Sequence, residues 1–358
     1  MKITIDINHP AHTHFYKFFI NEMKNRGHQV FVTVSQKDVN LTLLKKYDID
    51  YCPMGTYGEN VMQKILNLPL QDLKRFQYLK KIKPDIFLGC GSIGASHVSK
   101  LLNRECINFY DTEISEEQLV LFQPFTDVIF TPLSFRRIIP KKQIRYNGWH
   151  QLAYLSPNRF IPDNSIFDDL CIDKGRDFVG MRFVAWNASH DIGHKGIQNE
   201  IELVKRIEKK CDVFITSEKK LPKKLEKNRF KLSPEKLHSL LYYSKFYIGD
   251  GGTTALEAST LGTHSILIDS SAKYCGIDQE LNKFGLLHIF DREGQANQLI
   301  DNYINNENLK KIGKEKKELL LKDRIDVTSF LIWFVENYPK SKYTMKENPD
   351  YQKRFILS

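Results

Sequence analysis

No apolar run in this chain of 358 residues approaches the ~18 residues that a membrane-spanning helix needs. The six cysteines (Cys52, Cys90, Cys106, Cys171, Cys211 and Cys275) lie far apart and form no C-x-x-C pair. That excludes a zinc or disulfide framework and fits small buried side chains in a reducing compartment. No internal repeat of about 20–50 residues is present, which excludes a solenoid. Low-complexity sequence is confined to lysine-rich patches. The opening Met1-Lys-Ile-Thr-Ile-Asp-Ile alternates like a strand and lacks the apolar stretch of a signal peptide. The expected location is cytoplasmic.

What the chain does contain is enough apolar surface for large cores. Hydrophobic residues make up 41% and charged residues 27%, so wholesale disorder is excluded. The length exceeds what one core usually fills, and two domains are expected. Lys and Arg number 53 against 43 Asp and Glu, a net charge of +10. Such an excess suits nucleic acid, an anionic membrane or phosphorylated substrates. A nucleic-acid partner is not expected, because no binding motif or aromatic-interleaved basic stretch is present.

Strand-like and helix-like segments alternate in two series. Lys2–Ile7 reads as a strand, Asn8–His14 as a loop, and a helix follows with Phe15, Phe18, Phe19 and Met23 on one face, stopped by Gly27. Gln29–Val34, Pro84–Gly91, Cys106–Tyr110 and Asp127–Thr131 continue the strands. The stretch from Gly148 to Asp169, rich in Pro and Asn, reads as a connection. The second series has strands at Phe178–Phe183, Val213–Thr216, Phe246–Gly249 and Ser265–Asp269, with a helix from Gly252 to Leu261. Asp326 is placed to cap a strongly amphipathic helix through Phe330, Phe334 and Tyr338. The expectation is α/β, two doubly wound domains over 1–160 and 161–325, then a helix and tail over 326–358.

In doubly wound sheets, ligands collect at the carboxyl ends of strands, where helix N-termini present free N–H groups. Ile248-Gly249-Asp250-Gly251-Gly252-Thr253-Thr254-Ala255-Leu256-Glu257-Ala258 is the sharpest candidate. A strand ends, Gly251 and Gly252 let backbone approach a ligand, and Thr253 and Thr254 open a helix. A diphosphate fits there, with Glu257 one turn on for a ribose diol. The alternative is a tight turn with threonine caps and a solvated glutamate.

This segment, followed by Leu261-Gly262 and an apolar strand, resembles the nucleotide site of GT-B sugar-nucleotide enzymes. These include the lipid-linked N-acetylglucosaminyltransferases of peptidoglycan synthesis and the non-hydrolysing UDP-N-acetylglucosamine 2-epimerases. The whole pattern, from Asn8-His9-Pro10-Ala11-His12 to the terminal Arg324-Ile-Asp-Val-Thr-Ser-Phe, most resembles an uncharacterised bacterial and archaeal family of that superfamily. The resemblance implies a GT-B fold, two Rossmann-like domains facing a cleft, with the last helix crossing back to the first domain. It also implies a donor site in the second domain and an acceptor site in the first. No cofactor is expected beyond the nucleotide-sugar donor, most plausibly UDP-linked.

The same resemblance distributes roles. His12 falls opposite the transferases' loop histidine, with His9 and His14 as alternatives, and a histidine suits a base that deprotonates an acceptor hydroxyl. Arg182 and Lys195 would neutralise the leaving diphosphate, and His190 would contact phosphate. Leu232 lies where relatives hold uracil through backbone groups, and Gln279 where they contact donor-sugar hydroxyls. Asp111 and Glu113 stand near a catalytic carboxylate of the epimerases; the other reading is a helix cap with Glu in the first turn. Ser92, in the turn Gly89-Cys90-Gly91-Ser92, borders the acceptor side. Asp48-Ile49-Asp50 matches the Asp-x-Asp pattern of metal-dependent transferases but sits at the wrong sheet edge, and no metal is expected. Ile65, Leu66, Leu68 and Leu70 precede Lys74, Arg75, Lys80, Lys81 and Lys83, an apolar patch rimmed by cations that suits an anionic inner leaflet. A core-packing helix with a basic outer face is the competing view.

The implied function is an inverting, metal-independent glycosyltransferase of surface polysaccharide biosynthesis. It would move sugar from a nucleotide donor to a glycan or polyprenyl-linked acceptor, peripherally on the inner membrane face. The alternatives are an epimerase-like enzyme using Asp111, Glu113 and His190, and a non-catalytic partner in polysaccharide assembly.

Overall fold

The computed structural model describes residues 1–36, 39–58, 61–184 and 196–357. The chain forms two compact units, one of Met1–Tyr154 with Asp323–Ser358, the other of Leu155–Lys322.

The first unit holds a seven-stranded sheet: β1 Lys2–Ile7, β2 Gln29–Ser35, β3 Cys52–Gly55, β4 Ile86–Cys90, β5 Glu105–Phe109, β6 Val128–Pro132 and β7 Gln143–Tyr146. Its order is β3-β2-β1-β4-β5-β6-β7, with every pair parallel. The chain winds outward from β1 to β3, then returns beside β1 at β4. That reversal opens a crevice at the carboxyl ends of β1 and β4. The crossover helices include α1 Pro10–Asn25, α2 Asn40–Lys46, α3 Val61–Ile82, α4 Ile93–Leu101 and α5 Glu116–Phe122.

The segment expected to be a loop from Asn8 to His14 is helical from Pro10. Proline at the first helical position lacks the N–H that would be orphaned there, and His9 caps the turn by accepting from the Ala11 N–H at 3.2 Å. The start of the expected connection is also ordered core: Trp149, Leu152 and Tyr154 are completely buried.

The terminal helix Val327–Glu336 packs in the first unit, as its amphipathic pattern and the family resemblance imply. Asp326 caps it through the Ser329 N–H at 3.1 Å. Phe330 and Phe334 set their rings edge-on against Phe130 of β6, at 5.3 and 4.7 Å between centroids. Phe130 stacks on Phe109 of β5, which meets Phe15 of α1. This aromatic run ties the two ends of the chain into one core.

The second unit is a parallel sheet of β8 Phe178–Phe183, β9 Asp212–Ser217, β10 Tyr247–Gly249, β11 Ser265–Ile268 and β12 Leu287–Phe290, ordered β12-β11-β10-β8-β9. Here the winding reverses between β8 and β10. Both units are doubly wound, the GT-B arrangement of two Rossmann-like domains.

Candidate functional site

In the second unit the reversal point brings together two segments singled out in the sequence. Gly249 of β10 lies opposite Arg182 of β8, and the Asp250 N–H donates to the Arg182 carbonyl at 3.3 Å. The helix Gly252–Thr260 starts here with Gly251 as N-cap, a residue with no side chain to cap it. Its first N–H groups therefore point out of the carboxyl edge of the sheet. A side chain at Gly251 would press on Arg182 Cδ and Val184 Cγ1, both at 3.1 Å, whereas the same direction at Gly252 is open among the described residues. Thr253 is exposed and Thr254 buried.

Asp250 is buried beside the turn. Its Oδ1 accepts from the Val184 N–H at 2.8 Å, bracing the exit of β8 against the glycine turn. Arg182 donates to Glu218 at 2.6 Å and stays partly exposed, so its guanidinium is held beside the turn and can still reach an anion. Glu257 is buried, not solvated, with Oε1 3.2 Å from His238 Nε2. The arrangement offers uncapped backbone donors, an arginine and a threonine at one sheet edge, the chemistry that a diphosphate needs.

Gln279 lies on the helix Gly276–Lys283 and is half-buried. Leu232 packs its side chain against the cluster of Ile166, Phe167, Phe178 and Leu240. His190 and Lys195 lie outside the described residues.

In the first unit, the crevice beside β1 is dominated by an ion pair that sequence reading did not find. Asp6, fully buried, accepts from Arg75 Nε at 2.9 Å, Thr33 Oγ1 at 2.5 Å, Ser92 Oγ at 2.5 Å and Asn8 Nδ2 at 3.2 Å. Arg75 therefore does not rim a surface patch, as its place in a lysine-rich helix implied. It is inside, and Gly94 of α4 leaves room for its guanidinium. Ser92 also caps α4 through the Ala95 N–H at 3.0 Å, so its hydroxyl is committed within the fold. The signal available was an aspartate between Ile5 and Ile7 near the end of the strand Lys2–Ile7.

The three histidines of the first helix separate by environment. His14 is buried, stacked on Tyr154 at 5.4 Å, with Nδ1 3.1 Å from the Tyr47 hydroxyl. His9 is the helix cap. His12 is half-buried, and its Nδ1 accepts from the Asn8 N–H at 3.4 Å, which in the neutral ring places the proton on Nε2.

Asp111, beyond the end of β5, does not cap a helix; α5 begins only at Glu116. Its Oδ2 lies 2.9 Å from Nδ1 of His150, which follows β7. The Thr112 hydroxyl reaches Oδ1 at 3.3 Å. Burial pushes this carboxyl up, but the His150 ring, the Thr112 hydroxyl and the neighbouring His12 outweigh it, and it lies below the usual carboxylate range. Glu113 turns elsewhere, accepting from the Arg136 N–H at 3.1 Å. His150 fell in the stretch read as a connection; its adjacency to Gly148-Trp149 was the only local signal.

Solved structures share the fold of this chain. S. aureus MnaA with UDP superposes with a TM-score of 0.69 over 95% of this chain and 97% of that one, at 14% identity. The glycosyltransferase VinC with dTDP gives 0.60 over 94% and 99%, at 11% identity. Other glycosyltransferases and UDP-N-acetylglucosamine 2-epimerases share the fold. The chain belongs to the family described as protein of unknown function DUF354, whose pattern it matches over residues 1–338. An uncharacterized protein of Methanocaldococcus jannaschii, MJ0665, is 24% identical over 341 residues, 91% of this chain and 96% of the relative.

Proposed function

We propose that this chain is a sugar-nucleotide enzyme, specifically a glycosyltransferase that moves sugar from a UDP-linked donor to a glycan or polyprenyl-linked acceptor in surface polysaccharide synthesis. One observation carries the reading: the uncapped helix start at Gly251-Gly252-Thr253 sits at the winding reversal of the second sheet, beside Arg182. Backbone N–H groups and the Thr253 hydroxyl hold the diphosphate, Arg182 offsets the charge that grows as the sugar leaves, and Glu257 takes the ribose. Lys195, His190, Leu232 and Gln279 complete the donor contacts, and the first unit binds the acceptor. The reaction is an inverting displacement driven by positioning and electrostatics, with no metal needed.

The location proposed is cytoplasmic, at the inner membrane face. No helix among the described residues is long and apolar enough to cross a membrane. On α3, Leu66, Leu70 and Leu73 are 64%, 64% and 54% exposed at helical spacing, with Lys74, Lys80 and Lys81 exposed beside them. An apolar stripe flanked by cations complements an anionic lipid surface.

A thermal-shift screen of nucleoside diphosphates and nucleotide sugars tests the donor site. Selective stabilisation by uridine nucleotides, lost in Glu257→Ala, is expected; indifference to every nucleotide sinks the reading. Epimerisation is the second reading, favoured by the ionised Asp111. It requires turnover of the nucleotide sugar without any acceptor, where a transferase gives only slow hydrolysis.

A further inference from the structure

We infer that His150 is the positioning residue of a proton-accepting carboxylate, Asp111, and that this pair, not a histidine of the first helix, takes the proton from the substrate hydroxyl. The inference rests on the sugar-transfer reading for its substrate, but its geometry lies wholly in the first unit.

The imidazole is fixed before any substrate arrives. Its ring stands edge-on to Phe15 at 5.1 Å and to Phe109 at 6.1 Å, and Nδ1 faces Asp111 Oδ2 at 2.9 Å. Nε2 is buried with no hydrogen-bond partner among the described residues. A proton on Nε2 would be a buried donor without an acceptor, which is costly, whereas a proton on Nδ1 meets a carboxylate. The neutral ring is therefore the Nδ1–H tautomer, and it donates to Asp111. With Nε2 closed off among aromatic rings, His150 has no basic atom to offer a substrate. Its contribution passes through Asp111.

Asp111 in turn is ionised and ready to accept. Its side chain is 19% exposed, against 13% for His150, so the carboxylate is the more accessible member of the pair. Among the described residues, the other groups that interact with it include His12, Thr112, Cys90, Tyr110 and Tyr146. Burial pushes the ionisations of Cys90, Tyr110 and Tyr146 up, so these three stay neutral and add no competing negative charge. Oδ2 is held by His150, while the Thr112 hydroxyl reaches Oδ1 at a longer 3.3 Å, so Oδ1 is the oxygen assigned to receive a proton. In a neutral His12 ring the nitrogen carrying the lone pair is the one 3.4 Å from the Asn8 N–H, so it is engaged with the backbone. Its Nε2–H is a donor. In the transfer, the hydroxyl O–H bond breaks and the proton passes to Asp111. The freed electron pair on oxygen forms the bond to the anomeric carbon, and the bond from that carbon to the diphosphate oxygen breaks, releasing nucleoside diphosphate.

The test is a carboxyl NMR titration of the full chain, with His150→Phe and His150→Asn. Asparagine can offer an amide N–H near the position of Nδ1; phenylalanine keeps the ring packing and offers none. Asp111 is expected to titrate low in the wild type, to bind its proton about tenfold or more tightly in His150→Phe as the strongest opposition to burial is removed, and to return towards the wild-type value in His150→Asn. An unchanged Asp111 midpoint in His150→Phe overturns the inference, as does a His150→Asn chain that titrates like His150→Phe. Should His150→Phe not fold, the nitrogen shifts of wild-type His150 decide: a bare Nε2 with protonated Nδ1 supports the pairing, and the reverse refutes it. Failure of the transfer reading shows differently, as absence of any nucleotide-dependent thermal shift with the carboxyl titration intact.

Discussion

Arg75 and Asp6 are each fully buried, and neither would be tolerable there alone. Arg75→Met is expected to cost about 3–5 kcal/mol, because it strands a carboxylate away from water. Combining it with Asp6→Asn should recover part of that loss, since both charges then go together; urea midpoints of the two variants provide the comparison. His264 makes a second prediction of the same kind. Burial first, then Lys316 and His288, push its pKa down to about 3. The unfolded chain takes up the proton near pH 6.5, so this contribution to stability is complete above about 6.5 and is lost as pH falls towards 3, by up to about 1.4 kcal/mol per pH unit. His264→Phe should flatten that slope between pH 7 and 5. In the same cluster Lys316 is drawn inward and donates to the Gly285 carbonyl at 2.9 Å.

Among the elements, the terminal helix is the one whose role the sequence made plainest. Its cap, its apolar face and its partners all agree, so Phe330→Ala is expected to remove about 3–5 kcal/mol by opening a cavity against Phe130 and Phe355. Equilibrium unfolding followed through Trp333 measures it. The strands β7 and β12 carried little signal in the sequence, and both are sheet edges. Gln-Ile-Arg-Tyr and Leu-His-Ile-Phe pack on fewer neighbours, so their patterns are shorter and more polar than that of the central strand Phe178–Phe183. The candidate site divides similarly. The glycine turn after β10 is a local motif and could be read, whereas His150 meets Asp111 only because β5 and β7 lie two strands apart in the sheet. A pair made by topology leaves almost no trace in either segment. His97 is another such link, joining Asp72 of α3 to the Leu121 carbonyl next to α5's end at 2.7 and 3.1 Å.

For the molecule as a whole, the net charge of +10 has separable parts. Many lysines simply face surface acids, as Lys219 does Glu200 and Lys227 does Glu208. Those beside the leucine stripe of α3 have a stated use. Replacing Lys74, Lys80 and Lys81 with Glu should abolish cosedimentation with phosphatidylglycerol vesicles while leaving nucleotide-dependent thermal shifts intact; retained binding would refute the lipid surface as partner. The division of the chain has a consequence for its synthesis. The second unit is one continuous stretch, Leu155–Lys322, but the first needs Asp323–Ser358 to cover Phe130. On the ribosome the middle of the chain can finish folding while the beginning waits, its aromatic face open until the last helix emerges. A chain released early, or cut after Lys322, would therefore lose the integrity of the part made first.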